Sequence, residues 1–251
     1  MEPITIALLI CLGSLAAALL GAALQLPREH LDEASQNVVK SVMGLVATLT
    51  ALVLGLLVAS AQSTYQGMVN QMNDLAANLA ELDRSLELYG PETAPARTLF
   101  QHAVRAEIDR VWPNGEARRE DLERGADRGQ SIAFVSIIYQ IPVRNEGQRF
   151  QQQRILQLVA SFARLRTLII DGTESDLPAP FMVVLVFWLA VLFFGFGLFA
   201  RINGTVVVAL TVGALSVAGA IYLVLEMNRP FDGLMRVSEA PLREALGQMG
   251  K

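Results

Sequence analysis

The sequence predicts an all-α integral membrane protein in which four transmembrane helices, in two pairs, flank a helical water-soluble domain. Three observations carry that expectation. Four stretches, 4–26, 42–61, 181–200 and 205–225, are apolar and free of Asp, Glu, Lys and Arg. At 1.5 Å per residue each is long enough to cross a hydrocarbon core of about 30 Å. Composition agrees, since 53% of the 251 residues are hydrophobic and mean hydropathy is +0.41, above the roughly 45–50% apolar share of soluble domains. Finally, the charged segment between the two pairs opens on a helical heptad.

The chain divides into a first helix pair (1–61), a helical domain (62–178), a second pair (179–225) and a tail (226–251). The first stretch reads as a retained span, not a cleaved signal. Its leading residues Met1, Glu2 and Pro3 include no Lys or Arg, and its apolar run exceeds the roughly 7–15 residues of a signal peptide's apolar region. A net charge of −4 without a basic cluster excludes a nucleic-acid footprint and a polybasic lipid-binding patch. Cys11 is the only cysteine, so neither an intrachain disulfide nor a Cys-rich metal site is available.

Four crossings put both termini and the central domain on one side of the membrane, with connections 26–40 and 201–204 on the other. Basic residues near the spans favour the first side. Arg164, Arg166, Arg229, Arg236 and Arg243 lie there, against Arg28, Lys40 and Arg201 on the connections. The positive-inside rule therefore orients the domain and both termini toward the cytoplasm.

Within the domain, Tyr65, Met68, Met72, Leu75, Leu79, Leu82, Leu86 and Tyr89 follow a 3,4,3,4 spacing, the seam of a left-handed coiled coil. The second span is thus expected to continue out of the bilayer as one long helix. Ile155, Leu158, Phe162, Leu165 and Ile169 form a matching series, which suggests an antiparallel partner. Between them a shorter helix is expected from Thr93, as N-cap, to about Val111, with Pro95 in its first turn and Trp112-Pro113 as its stop. Residues 114–129 read as a solvated loop or weak helix. Segment 129–141 suits strand or helix, is assigned helix, and ends at Pro142.

No nucleotide-binding, metalloprotease or nucleophile-elbow signature is present, and an enzyme is not expected. No metal or cofactor site is expected either. His30 and His102 fall in different compartments, and His102 reads as a partly packed helix residue. The spans contain no ionisable residue between their ends, which disfavours a proton-coupled transporter. A stripe of small or hydroxyl side chains, Gly44, Thr48, Ala51, Gly55 and Ala59, runs along the second span. It suits close packing between spans. It also suits a pore axis, where Thr48 and Leu52 would line an apolar constriction that gates by wetting, with Lys40 as the charge at its mouth. Beyond the fourth span, Pro230 and Gly233 end the helix, Phe231 is apolar enough to anchor the turn, and Glu226 is expected to be solvated or paired with Arg229.

Several motifs resemble one known family. Leu26-Pro27 and His30-Leu31 follow the first span, and Trp188 lies in the third. Leu82-Asp83-Arg84-x-Leu86 precedes Tyr89-Gly90-Pro91-Glu92 and Arg97, and the segment 226–233 precedes Pro241. Together these resemble the bestrophin-like bacterial membrane proteins. That resemblance implies a location in the bacterial inner membrane and a bestrophin-like fold. Bestrophins are pentameric anion channels with four spans per subunit, a pore lined by the second span and a helical cytosolic domain. Asn228-Arg229-Pro230-Phe231-Asp232-Gly233 is similar to their Asn-Pro-Phe-Gly turn, with an Arg and an Asp inserted. The acidic run that follows this turn in calcium-gated members is missing, so calcium gating is not implied.

The expected function is a homo-oligomeric ion channel, anion-selective, passing inorganic ions through membrane lipid. The alternative is a non-conducting scaffold or sensor whose bundle recruits a partner. A small-solute transporter would have only Thr48, Thr50 and Ser216 as polar lining.

Overall fold

The structure, a computed structural model, describes residues 2–24, 33–112, 128–173, 179–200, 203–229 and 234–249. Every regular element among them is helical. In chain order these are α1 (Pro3–Ala23), α2 (Glu33–Tyr89), α3 (Ala94–Val111), α4 (Arg128–Gln140), α5 (Glu146–Thr173), α6 (Ala179–Phe199), α7 (Gly204–Met227) and α8 (Ala240–Gln248). A 3₁₀ turn, Pro91–Thr93, leads into α3. Four helices, α1, α2, α6 and α7, are long and apolar enough to cross a membrane.

The chain forms two compact units, Met1–Ser63 with Asp176–Asn228, and Thr64–Ser175 with Arg229–Lys251. In the first, α1 packs along both α6 and α7. Small residues set how close that contact is. A Cβ on Gly21 would run into the backbone of Phe194 and Leu198, and one on Gly197 into the backbone of Ala18. Without a hydrophobic driving force inside lipid, such backbone-to-backbone approach is what holds two helices together. Cys11 and Ala18 of α1 meet Phe193 of α6 and Ala214 and Ala218 of α7 in a buried core. Hydroxyls in these helices satisfy their protons locally, as Ser14 does by donating to the Ile10 carbonyl and Ser216 to that of Val212, both at 2.8 Å.

The second unit is built on the heptad. Met68, Met72, Leu75, Leu79, Leu82, Leu86 and Tyr89 are all buried, and Tyr65 is packed at the edge of the same core. The helix that carries them is continuous with the second span, 57 residues in all. Its partners are Ala96, Phe100, Val104 and Ile108 of α3, Phe134 and Ile138 of α4, and Ile155 and Leu158 of α5, with Phe162 and Leu165 packed alongside. The Phe100 and Phe134 rings lie 5.6 Å apart, within the range of favourable aromatic pairs.

Three details depart from expectation. Thr93 precedes α3, but its side chain caps nothing in that helix. Its hydroxyl instead donates backward, to the Leu86 carbonyl at 2.5 Å and the Gly90 carbonyl at 2.8 Å. It therefore serves the orphan carbonyls at the end of α2, because the 3₁₀ turn already supplies the entry to α3. Second, the tail contains α8, with Pro241 in its first turn and Val237, Leu242 and Ala245 buried in the core of this unit. Third, His102 is exposed, not partly packed. Residues 113–127, His30 and 230–233 lie outside the described residues, and with them the solvated-loop expectation, Pro230 and Phe231.

Candidate functional site

The bilayer half of α2 differs from the other spans in how little of it is covered by its own chain. Over the most apolar 18 residues, 6% are buried in α2, against 33% in α1 and in α6 and 17% in α7. Helical periodicity divides its surface into arcs. Thr50, Leu57 and Ala61 turn inward and are buried, with Met43, Val46, Ala47, Val53, Leu54 and Val58 half-buried beside them. A second arc holds Gly44, Thr48, Ala51, Gly55 and Ala59, all exposed. Adjoining it, Leu45, Leu49, Leu52 and Leu56 are 62%, 39%, 61% and 63% exposed.

The small arc is thus not used for close packing within the chain. A methyl group added to Gly44 or Gly55 would meet nothing within 4 Å. Helix contacts inside the chain rely on other glycines, namely Gly21, Gly197 and Gly195, the last opposite the Met43 side chain. Thr48 Oγ1 donates to the Gly44 carbonyl at 3.0 Å and Thr50 Oγ1 to the Val46 carbonyl at 2.7 Å. Of the two, Thr48 is exposed and Thr50 buried, so the hydroxyls proposed for a transporter lining do not share a face. Lys40 sits one turn before Gly44 and is exposed. Leu52 belongs to the leucine arc. The other members of that arc were legible as an i, i+4, i+7, i+11 leucine repeat but not selected from the sequence.

In the second unit the motif around the α2 terminus forms one hydrogen-bonded joint. The Asp83 carboxylate accepts from Arg97 Nε and Nη2, both at 2.7 Å, and from Gln101 Nε2 at 3.3 Å. Its side chain is 7% exposed and that of Arg97 24%. This two-pronged pair staples α3 to α2, and the hydrogen bond to Asp83 raises the Arg97 pKa above its ordinary value. Reversal of the chain needs Gly90, whose φ of +127° is open to glycine but strained for other residues. The Tyr89 hydroxyl donates to the Pro142 carbonyl at 3.3 Å, while the Tyr89 carbonyl accepts from Gln148 Nε2 at 3.2 Å. Burial first, and then the nearby Glu92, push the Tyr89 pKa upward. Asp83, Tyr89, Pro91 and Arg97 are therefore brought together at this joint, where they shape the fold. Arg84 is exposed beside it.

Glu226 corrects the expectation of a solvated helix end. It is only 4% exposed near the end of α7, one turn after Tyr222 on the same helix.

Comparison with known families places this architecture. Residues 10–242 match the model of the Bestrophin-like domain, a span that runs from α1 into α8 and takes in both units. No curated protein and no solved structure matches the chain. Four apolar helices and this family match make it a membrane protein, and the chain belongs to the bestrophin-like family.

Proposed function

We propose that this protein is a homo-oligomeric ion channel, selective for anions, with the second span α2 lining the pore. One observation carries the reading: the bilayer half of α2 leaves an arc of small side chains and an adjoining arc of leucines uncovered by its own chain. In a ring of subunits, the border between the arcs, where Thr48 and Leu52 lie, faces the axis, and their outer edges face the neighbouring copies. Gly44, Thr48, Ala51, Gly55 and Ala59 give a narrow, weakly polar path, and Leu52 a constriction that conducts only when wetted. Lys40, one turn before Gly44, raises the local anion concentration at the mouth. Family resemblance favours a pentamer in the bacterial inner membrane, with the helical domain and both termini in the cytoplasm.

Flux from proteoliposomes tests the reading. Chloride flux above that of empty vesicles is expected, reduced by Thr48→Val and altered in threshold by Leu52→Ala. Equal chloride and potassium leak in protein-containing and empty vesicles would refute it.

A second reading, a non-conducting scaffold or sensor, draws support from apolar side chains that the soluble unit leaves exposed. Leu88 is 59% exposed, Tyr139 67% and Phe150 65%. Images of purified particles separate the readings. A ring with a continuous axial cavity favours the channel, and a monomer, or a dimer sealed along α2, favours the scaffold.

A further inference from the structure

We propose that each chain holds one anionic phospholipid in a cleft between α2, α6 and α7. This inference needs only the four spans and does not require conduction, although the cleft shares Lys40 and Gly44 with the proposed path. The cleft has a volume of about 610 Å³, inside the roughly 300–1,000 Å³ range of small-molecule sites. Met43, Ala47, Phe196, Phe199 and Leu210 make its walls apolar, and among the described residues Lys40 is its only charged lining residue. At its wall Met43 packs against Gly195, where a Cβ would lie 2.5 Å from Met43 Cε.

Position decides what such a cleft meets. α6 ends at Phe199 and α7 begins at Gly204, so the cleft opens at one end of the spans, where acyl chains give way to headgroups. Two positive features converge on its rim. Lys40 can lay its methylene stem on the apolar wall and lift its ammonium to headgroup level. The second is the start of α7, a 24-residue helix whose first turn is fixed by Asn203 Oδ1 accepting from the Val206 N–H at 2.9 Å. Val206 lines the cleft, so the positive end of the helix dipole adds to the Lys40 charge. An apolar trough below two positive groups is complementary to an acyl chain below a phosphate. A zwitterionic headgroup brings its own cation to that rim and is held less well. A second protein copy would have to bury Lys40 against its own apolar span, which is costly.

The test uses the full chain in vesicles of equal phosphatidylglycerol and phosphatidylcholine, extracted gently and weighed with its retained lipid by native mass spectrometry. Wild type is expected to retain phosphatidylglycerol over phosphatidylcholine at one lipid per chain. Lys40→Gln should lower phosphatidylglycerol retention about fivefold, as expected from roughly 1 kcal/mol per basic side chain at an anionic surface, while Lys40→Arg keeps it. Ala209→Phe, which fills the cleft, should abolish retention of both lipids. Equal retention of the two lipids by wild type, or an unchanged ratio in Lys40→Gln, overturns the proposal. So does a photo-crosslinker at position 209 that captures a second chain and no lipid.

Discussion

The two halves of α2 are one uninterrupted helix, yet they treat their leucines in opposite ways. In the soluble half, Leu79, Leu82 and Leu86 are 2%, 2% and 0% exposed. In the bilayer half, Leu45, Leu52 and Leu56 are 62%, 61% and 63% exposed. The heptad half is amphipathic, and such a helix buries its apolar seam in its own chain. Lipid explains why the second half is free not to, since apolar side chains lose nothing by facing hydrocarbon. What such a face does is then decided by close packing, pore geometry or another copy. The comparison teaches where assembly and conduction should be sought.

Substitution along α2 should break the symmetry of the helix. Leu86→Ala removes a fully buried side chain and should cost about 4 kcal/mol in the stability of the soluble unit. Leu52→Ala, on the exposed arc, should change subunit stability by no more than about 0.5 kcal/mol. Denaturant titration in detergent, followed by far-UV circular dichroism, measures both. Similar costs at the two positions would mean that the bilayer half is covered after all.

A glycine pair sharpens the contrast inside the membrane. Gly197→Val places a side chain against the Ala18 backbone and should destabilise the α1–α6 contact by about 2 kcal/mol. Gly55→Val has open space around it, so thermal stability of the single chain should hold while oligomer yield or flux changes. Size-exclusion profiles and thermal melts of the two variants check this.

The smallest effect concerns the joint that ends α2. Tyr89 has a pKa raised above its ordinary 10.0, so the folded state keeps its proton longer than the unfolded chain does. Its contribution is therefore complete below pH 10 and is lost as pH rises through the folded-state value. As pH rises above 10, wild type should lose more stability than Tyr89→Phe by denaturant titration. Parallel pH profiles of the two proteins would contradict it.

Much of this was legible because its signals are periodic. An unbroken apolar run identifies a span, and the 3,4 spacing from Met68 to Tyr89 identified the buried seam and the continuity of α2. The motif from Asp83 to Arg97 also came together as one joint, since its members are close in sequence across a single reversal. Other features depend on partners distant in the chain. Glu226 is buried by its surroundings, which no local pattern encodes, and a carboxylate at a helix C-terminus read locally as solvated. Thr93 reads as a cap because its role as a donor to Leu86 appears only once the turn is built. α8 carried a signal in Pro241, Leu242 and Ala245, but nine residues give too few turns for periodicity to stand out. The small arc of α2 was legible as a stripe. Only the structure separates it from Gly21, Gly195 and Gly197, which do the packing.

The central claim, that α2 lines a conducting path, is tested most directly by single cysteines placed along α2 in a Cys11→Ser background. Chloride flux from proteoliposomes would be followed before and after a membrane-impermeant thiol reagent. The account predicts that modification at positions 48, 52, 55 and 59 blocks flux, whereas positions 50 and 57, buried in the subunit, do not respond. Block from 50 and 57 but not from 48 and 52, or no flux to block, would contradict it.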